Sequence, residues 1–260
     1  EIIDAEIRKN YLTSKNILIL SKYARKKNLK VGLSLFFKTD YKFFKNFKFD
    51  FFKVPSPVSH DFELINFLKK KSSLLIISFG GKTFSDIKKI IRRCNLKSKK
   101  TVLLHCISNY PVNEINSNLG FIDKLKKYFK NYYIGYSSHE KNILNSILCL
   151  AKDINFLERH ITLNKEQNGL DHSSSSDYDE LKLFQNYNEN FFKIFTDNNK
   201  FPPNQGEVLN IQNLGTSYFF KKNIDQGERL KFDQLKKIFP CIGLTDLNID
   251  KFINKKLKRN

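Results

Sequence analysis

Two histidines in the middle of the chain each follow a short apolar run, and their types and spacing could form a metal site. His139 ends the run 132–139 (YYIGYSSH), and His160 ends the run 154–160 (INFLERH). Imidazole nitrogens are common ligands of divalent transition metals. If both runs are parallel strands of one sheet, their carboxyl ends lie on one face and the two histidines meet there. The spacing alone leaves open that one histidine is only a hydrogen-bonded residue at a strand end.

The segment between the two runs predicts a helix with one buried face. Residues 141–152 carry apolar side chains at helical spacing, at Ile143, Leu144, Ile147, Leu148 and Leu150. The order is therefore strand, histidine, helix, strand, histidine, which is typical of a parallel α/β sheet.

Length and composition predict a globular intracellular protein. A chain of 260 residues, 40% hydrophobic with 25 Phe, suits one barrel-sized domain plus a small appendage, or two modest domains. No apolar run approaches the roughly 18 residues that span a membrane, and the first residues do not resemble a signal peptide. The four cysteines are scattered without a CxxC pair, which indicates reduced residues of a cytoplasmic protein. The sequence has no Met, even at position 1, so we expect that it does not begin at a native start and that either end can be a truncation.

The net charge of +20 raises the alternative of a nucleic-acid-binding protein. The lysines are, however, spread through every segment alongside abundant Asn, Ile and Phe, which indicates an AT-rich coding bias. No nucleic-acid recognition motif accompanies the charge, so we expect no nucleic-acid partner. A positive field would still attract a small anionic substrate.

Six strand-then-helix units precede the last third of the chain. The predicted strands are residues 30–37, 49–54, 73–78 and 101–106, followed by the two runs 132–139 and 154–160 that end in histidine. They are apolar on both faces, as interior parallel strands are. Six such units match a (β/α)₈ TIM barrel that lacks its first two strands. An open doubly wound sheet is the competing architecture, and in either fold the polar strand ends form the active-site face.

The remaining residues predict a second, smaller domain. Residues 1–195 form the partial barrel, and its last helix covers 177–195. Residues 196–207 read as a linker rich in Asn and Pro, and residues 208–260 predict a small β-rich domain that is incomplete at its end.

Several ordered motifs resemble those of one enzyme family. They are residues 105–111 (HCISNYP), 135–139 (GYSSH), 157–160 (LERH) and 169–172 (GLDH). Together they resemble the signatures of the sialic acid (N-acetylneuraminate) synthases, which include legionaminic and pseudaminic acid synthases. Residues 222–228 (KNIDQGE) and 240–243 (PCIG) are similar to the antifreeze-like SAF domain fused to those enzymes. The resemblance runs from about residue 12 to about residue 258.

The resemblance implies a fold, a metal and a reaction. The fold is a TIM barrel whose SAF domain covers the active site of the partner subunit in a domain-swapped homodimer. His139 and His160 would ligate Mn²⁺ or Mg²⁺, with Glu158 beside the metal. The ion would polarise the aldehyde of an N-acetylated hexosamine, which C3 of phosphoenolpyruvate attacks before water adds at C2 and phosphate leaves.

The resemblance also implies roles for the polar strand ends. Phosphoenolpyruvate would be held by Lys53, Ser56, Ser78, Ser108 and Ser137, and Asn109 belongs to the same substrate-binding set. Tyr110 and Asp171 would face the sugar, and Tyr110 would join Glu158 as a catalytic residue. Taken singly, each serine could be a hydrated loop hydroxyl, Tyr110 a packed ring and Asp171 a turn residue. Lys53 lies in an apolar strand and therefore needs an anion or a wet cleft.

The sequence departs from the family pattern mainly on the sugar side. The first two strands, which carry a glutamate and a lysine in the family, are absent. This sequence also differs from the family at four further positions. Leu35 replaces a threonine, Val58 replaces a glutamate, Ser138 replaces an aspartate and Phe239 replaces an arginine. Residues 79–81 (FGG) replace Thr-Gly-Met. Phenylalanine cannot donate the hydrogen bonds of arginine, which argues against N-acetylmannosamine as the acceptor.

The sequence therefore predicts a nonulosonic acid synthase that condenses phosphoenolpyruvate with an N-acetylated hexosamine. The alternative is a diverged or truncated homologue that binds a sugar or partner without catalysis. The acceptor sugar and the metal used in the cell are left open.

Overall fold

Six parallel strands form the sheet of the first part of the chain in a computed structural model, which describes residues 8, 11–194 and 204–258. The strands are β1 (Gly32–Ser34), β2 (Phe51–Val54), β3 (Leu75–Ser78), β4 (Thr101–Cys106), β5 (Tyr133–Ser138) and β6 (Phe156–Arg159). Each pairs in parallel with the next, so the spatial order equals the sequence order. A doubly wound sheet reverses its strand order at a switch point, and none occurs among these strands. The predicted partial barrel of six strands is therefore confirmed.

Helices precede, connect or follow the strands, and the three helices between β2 and β5 pack on one face of the sheet. They are α1 (Ser14–Lys26), α2 (Phe62–Leu68), α3 (Phe84–Arg93), α4 (Gly120–Tyr128), α5 (Leu144–Leu148) and α6 (Tyr178–Ile194). Thr83 caps α3, because its hydroxyl accepts from the amide of Asp86 while the Asp86 carboxylate accepts from the Thr83 amide. Such caps fix where a helix begins, and hence where the preceding strand-end loop lies.

Alternate residues of each strand pack into two apolar layers. Val54, Ile77 and Leu103 belong to the large core between the sheet and the helices, which α2, α3 and α4 complete. Ile76 and Leu104 belong to a smaller cluster on the other face of the sheet. Burial of both faces explains the nearly continuous apolar runs of these strands.

The helix between the two histidine strands differs from the prediction. It is only five residues long, Leu144–Leu148, and Cys149–Lys152 continues it as a 3₁₀ turn. The predicted buried apolar face is wrong for Leu144 and Leu148, since each is 48% exposed. The buried residues of α5 are instead the polar Asn145 and Ser146, because both are hydrogen-bonded to groups at the end of β5.

The second unit covers Thr196–Asn260 by the pattern of contacts, and the first covers Glu1–Phe195. In the second unit, helix α7 (Gln205–Leu214) precedes an antiparallel pair, β7 (Ser217–Phe220) and β8 (Leu235–Ile238). Its small core contains Leu230, Leu235 and Ile249. Most of the predicted linker, residues 196–203, lies outside the described residues, whereas residues 204–207 are the cap and first turn of α7. That helix was not predicted, and the SAF identity of this unit stays a prediction.

None of the helices in the described part of the chain is both long enough and apolar enough to cross a membrane.

Candidate active site

The two histidines converge beyond the carboxyl ends of β5 and β6, as their position after neighbouring parallel strands predicts. His139 follows β5 and His160 follows β6, and the two strands pair up to Ser138 and Arg159. The ring centroids lie 5.5 Å apart with an interplanar angle of 82°. The strand order therefore places the two imidazole rings close enough together to ligate a single ion.

The environment of His139 suits a metal ligand. Its Nδ1 lies 2.9 Å from the main-chain oxygen of Ile107. A carbonyl oxygen can only accept, so Nδ1 carries the proton and Nε2 presents its lone pair to the cleft. Burial of the ring lowers the pKa of His139 below its ordinary value, which keeps it neutral near pH 7, as ligation requires.

Glu158 completes a group of three potential ligands. One ligand atom each of His139, Glu158 and His160 lies within 4.8 Å of the others. Side chains alternate along a strand, so Glu158 and His160 share one face of β6. Two imidazole nitrogens and one carboxylate oxygen suit Mn²⁺ and similar divalent ions. The residues present therefore fit the predicted metal, and its binding stays a prediction.

Lys53 lies on β2 and forms an ion pair with the same carboxylate. Its Nζ is 2.6 Å from Glu158 Oε1, with the two side chains 17% and 25% exposed. Ser137 Oγ donates to that oxygen over 2.8 Å and lies 3.2 Å from His139 Nε2. These contacts join the ends of three strands into one polar site, and they supply the anion that a lysine in an apolar strand requires.

Two of the serines predicted to bind phosphoenolpyruvate, Ser56 and Ser108, lie beside Gly80. Ser56 Oγ accepts from the Gly80 amide over 2.9 Å. A Cβ added to Gly80 would lie 2.0 Å from Ser108 Oγ and 2.9 Å from Ser56 Oγ. Ser78 Oγ is buried without a hydrogen-bond partner among the described residues. An unpaired buried hydroxyl is unfavourable, so the Ser78 hydroxyl is free to donate to a ligand that accepts a hydrogen bond.

Two further predicted residues line the histidine side of the site. The Tyr110 ring centroid lies 4.2 Å from that of His139 and 5.9 Å from that of His160. Burial raises the pKa of Tyr110 to about 12, so its hydroxyl stays protonated and can donate. Asp171 Oδ2 lies 3.3 Å from His160 Nδ1, with the Asp171 side chain 52% exposed. Asn109 is exposed on the loop after β4.

The remaining histidines lie elsewhere. His105 is buried and its Nε2 lies 2.8 Å from the main-chain oxygen of Ser117. His172 contacts Thr162 through Nδ1 over 2.7 Å, and His60 is exposed. None of these three histidines belongs to the candidate metal cluster of the described residues.

Sequence reasoning missed the charged neighbours of the two histidines. Glu140 and Arg159 are nearly or completely buried, although neither was singled out. The sequence did contain a signal for both residues. Side chains alternate along a strand, so the neighbour of a histidine that faces the site points towards the helices. A charge on that side is unfavourable unless it is paired. Gly80 was also missed, since a glycine's close contacts depend on loops distant in sequence.

Comparison with known proteins places these motifs in a family. The sequence model of the NeuB family matches residues 4–200. An uncharacterized protein of Methanocaldococcus jannaschii is 30% identical over 211 residues, covering 80% of this chain and 62% of its own length. The N,N'-diacetyllegionaminic acid synthase of Campylobacter jejuni is 28% identical over 212 residues, covering 80% and 63%. The chain thus spans about three-fifths of the length of these curated relatives.

A solved structure agrees with that similarity. The N-acetylneuraminic acid synthetase of Leptospira borgpetersenii, crystallised with citrate, superimposes with a TM-score of 0.68 at 27% identity. The match covers 80% of this chain and 72% of that one. The observed partial barrel is therefore the fold of known sugar-acid synthases.

Proposed function

Since this chain belongs to the NeuB family, we propose that it carries the catalytic centre of a nonulosonic acid synthase. The reaction would join phosphoenolpyruvate to the open-chain aldehyde of an N-acetylated hexosamine and release phosphate. The observation that carries the proposal is the cluster of His139, Glu158 and His160, with Lys53 at the carboxylate.

The metal ligands would be His139 Nε2, His160 and Glu158. A divalent ion bound there would supply Lewis-acid polarisation of the sugar aldehyde. His139 would remain neutral and oriented because its Nδ1–H bond to Ile107 fixes the ring. The donor set leaves the choice between Mn²⁺ and Mg²⁺ open, although imidazole ligands favour Mn²⁺.

Lys53 and the serine pocket would bind phosphoenolpyruvate. The ammonium group of Lys53 lies beside Glu158, where it can also pair with a carboxylate or phosphate oxygen of the substrate. Ser56 and Ser108 provide hydroxyl groups beside Gly80, and the buried Ser78 hydroxyl at the end of β3 has no partner among the described residues. The electrons of the enol double bond form the bond from C3 to the aldehyde carbon, and the aldehyde oxygen becomes a hydroxyl group. Water then adds at C2, and the C–O bond to phosphate breaks.

Tyr110 would contact the sugar. Its hydroxyl remains protonated at neutral pH and its ring packs on His139, so it can donate to an oxygen of the acceptor. Asp171, half exposed beside His160, would accept from a sugar hydroxyl. Leu35, in place of a threonine near the phosphate, is buried in the apolar core and supplies no hydroxyl there. Phe239 is 63% exposed and cannot donate the hydrogen bonds of the arginine that the resemblance implies, so the acceptor would differ from N-acetylmannosamine.

The second unit would be an SAF domain that covers the site of another subunit in a homodimer. The sequence similarity of residues 222–228 and 240–243 supports this part of the proposal. The mass of the protein in solution tests the dimer.

The decisive experiment is an assay of the full-length gene product with phosphoenolpyruvate, MnCl₂ and a panel of N-acetylated hexosamines. We expect phosphate release that depends on both the metal and one sugar, with a carbon–carbon-bonded product in the mass spectrum. Sugar binding without phosphate release would instead favour the non-catalytic homologue.

A further inference from the structure

A buried ion pair lies directly behind the two histidines. Glu140 follows His139 in sequence, and Arg159 precedes His160. The Glu140 side chain is fully buried and that of Arg159 is 5% exposed, with Arg159 Nη1 3.8 Å from Glu140 Oε2. Charges are buried only where they are paired and hydrogen-bonded. The hydrogen bonds of Glu140 and Arg159 therefore identify the parts of the chain that this ion pair connects.

Ser138 and the main chain join the two charges. Ser138 Oγ donates to Glu140 Oε2 over 2.5 Å and accepts from Arg159 Nη1 over 2.7 Å. Arg159 Nη2 donates to the main-chain oxygen of Glu140 over 2.8 Å, and its Nε donates to Ser176 Oγ over 2.5 Å. Because the guanidinium is planar, these bonds fix its orientation.

The other carboxylate oxygen of Glu140 is saturated. Oε1 accepts hydrogen bonds from Ser117, Tyr136 and Asn145. Both carboxylate oxygens of Glu140 therefore have their acceptor positions in use, and Glu140 is not one of the candidate metal ligands.

The ion pair lies where the pairing of β5 with β6 ends. The ladder between β5 and β6 ends with the pairing of Ser138 and Arg159, so His139 and His160 are the first residues beyond it. The bond from Arg159 Nη2 to the Glu140 oxygen ties the two chains together past the last ladder position. On their outer sides, Val112 N donates to His139 O and Ser176 N donates to His160 O.

We propose that Glu140 and Arg159 are positioning residues that fix the separation of His139 and His160, and thereby set the affinity of the site for its divalent ion. The inference rests on the proposed function only in taking the histidines as metal ligands. Partners that orient metal ligands typically change metal affinity by about 10- to 100-fold when they are removed.

The test measures Mn²⁺ binding to the 260-residue chain by electron paramagnetic resonance. Glu140→Gln should weaken binding by about 10- to 100-fold, because the amide leaves Arg159 without its counter-charge. Asp123→Asn, which removes an acceptor from an ion pair elsewhere whose side chains are 58% and 31% exposed, should leave the affinity unchanged. Adding Ser138→Asp to Glu140→Gln should restore most of it, since a carboxylate would then lie where Ser138 Oγ contacts Arg159.

Two further measurements keep the test decisive. If Glu140→Gln does not fold, the Glu140→Gln/Arg159→Met variant removes both charges at once, which buried pairs often tolerate. Histidine-selective ¹⁵N spectra without metal report the ring of His139 directly, and they should change in either variant. A folded variant with wild-type Mn²⁺ affinity and unchanged histidine spectra would overturn the inference. If the unsubstituted chain binds no Mn²⁺, the proposed function fails, and the histidine spectra alone then decide the positioning role.

Discussion

Lys53 Nζ and Glu158 Oε1 lie 2.6 Å apart, although three strands separate β2 from β6. In a flat sheet, four strand spacings of about 4.8 Å would place the two strands about 19 Å apart, beyond the combined reach of the two side chains. The sheet must therefore curl like a barrel wall. Curling brings Lys53 to the candidate metal site.

Lys53→Met should greatly reduce catalysis with little effect on folding. Its loss removes the charge that we place at phosphoenolpyruvate, which should lower kcat/KM by about 100-fold or more. The pair is partly solvated, so the free energy of unfolding should fall by about 1 kcal/mol. Steady-state kinetics and urea unfolding measure the two effects. Lys38→Met is the matched control, because Lys38 pairs with Glu63 where the side chains are 48% and 74% exposed; equal kinetics for the two variants would contradict the role of Lys53.

His160→Ala should abolish Mn²⁺ binding and phosphate release together. Removing one of two imidazole ligands leaves too few donors for tight binding. Isothermal titration with MnCl₂ and a phosphate-release assay of the full-length protein check this expectation. His60→Ala, at an exposed position, should behave like the unsubstituted protein. Undiminished turnover in His160→Ala would reject the metal site.

Gly80→Ala should weaken the binding of phosphoenolpyruvate. The new methyl group would lie 2.0 Å from Ser108 Oγ and 2.8 Å from Cys106 Sγ, so the hydroxyls around it must move. We expect KM for phosphoenolpyruvate to rise by about tenfold, corresponding to about 1.4 kcal/mol of lost binding. Gly120→Ala is the control, since no other side chain or distant backbone lies within 4 Å of the added atom. In that helix alanine should raise stability by up to about 1 kcal/mol while KM stays constant.

Stability should fall with acidification below about pH 6.5, the ordinary pKa of histidine, in part through His105. Burial lowers the pKa of His105 in the folded state. Between the ordinary pKa and the lowered one, the unfolded chain binds a proton that the folded chain does not. The free energy of unfolding should therefore be constant above this window and should decline within it by up to about 1.4 kcal/mol per pH unit for each such histidine.

Urea unfolding at a series of pH values measures that slope. His105→Gln should reduce it, whereas His60→Gln, on the exposed surface, should leave it unchanged. A slope that is identical in the two variants would show that His105 does not contribute.

The pattern of apolar runs was sufficient to predict the six strands, their parallel pairing and the barrel-like class. Each run is short, apolar on both faces and followed by a helix, and those are local properties. The position of His139 and His160 after neighbouring runs was likewise sufficient to predict that the rings meet. The same reasoning failed for Leu144 and Leu148, because periodicity cannot show that Asn145 and Ser146 have buried partners.

Only the tertiary structure decided the contacts between residues that are far apart in the chain. Nothing near Lys53 in sequence indicates that Glu158, 105 positions later, is its counter-charge, because that contact depends on how strongly the sheet curls. The bonds of Glu140 to Ser117 and Arg159 arise in the same way, since they require a loop and the ends of two strands to pack together. Local sequence fixes which residues stand at the strand ends, whereas the long-range packing of the sheet sets the distances on which their chemistry depends.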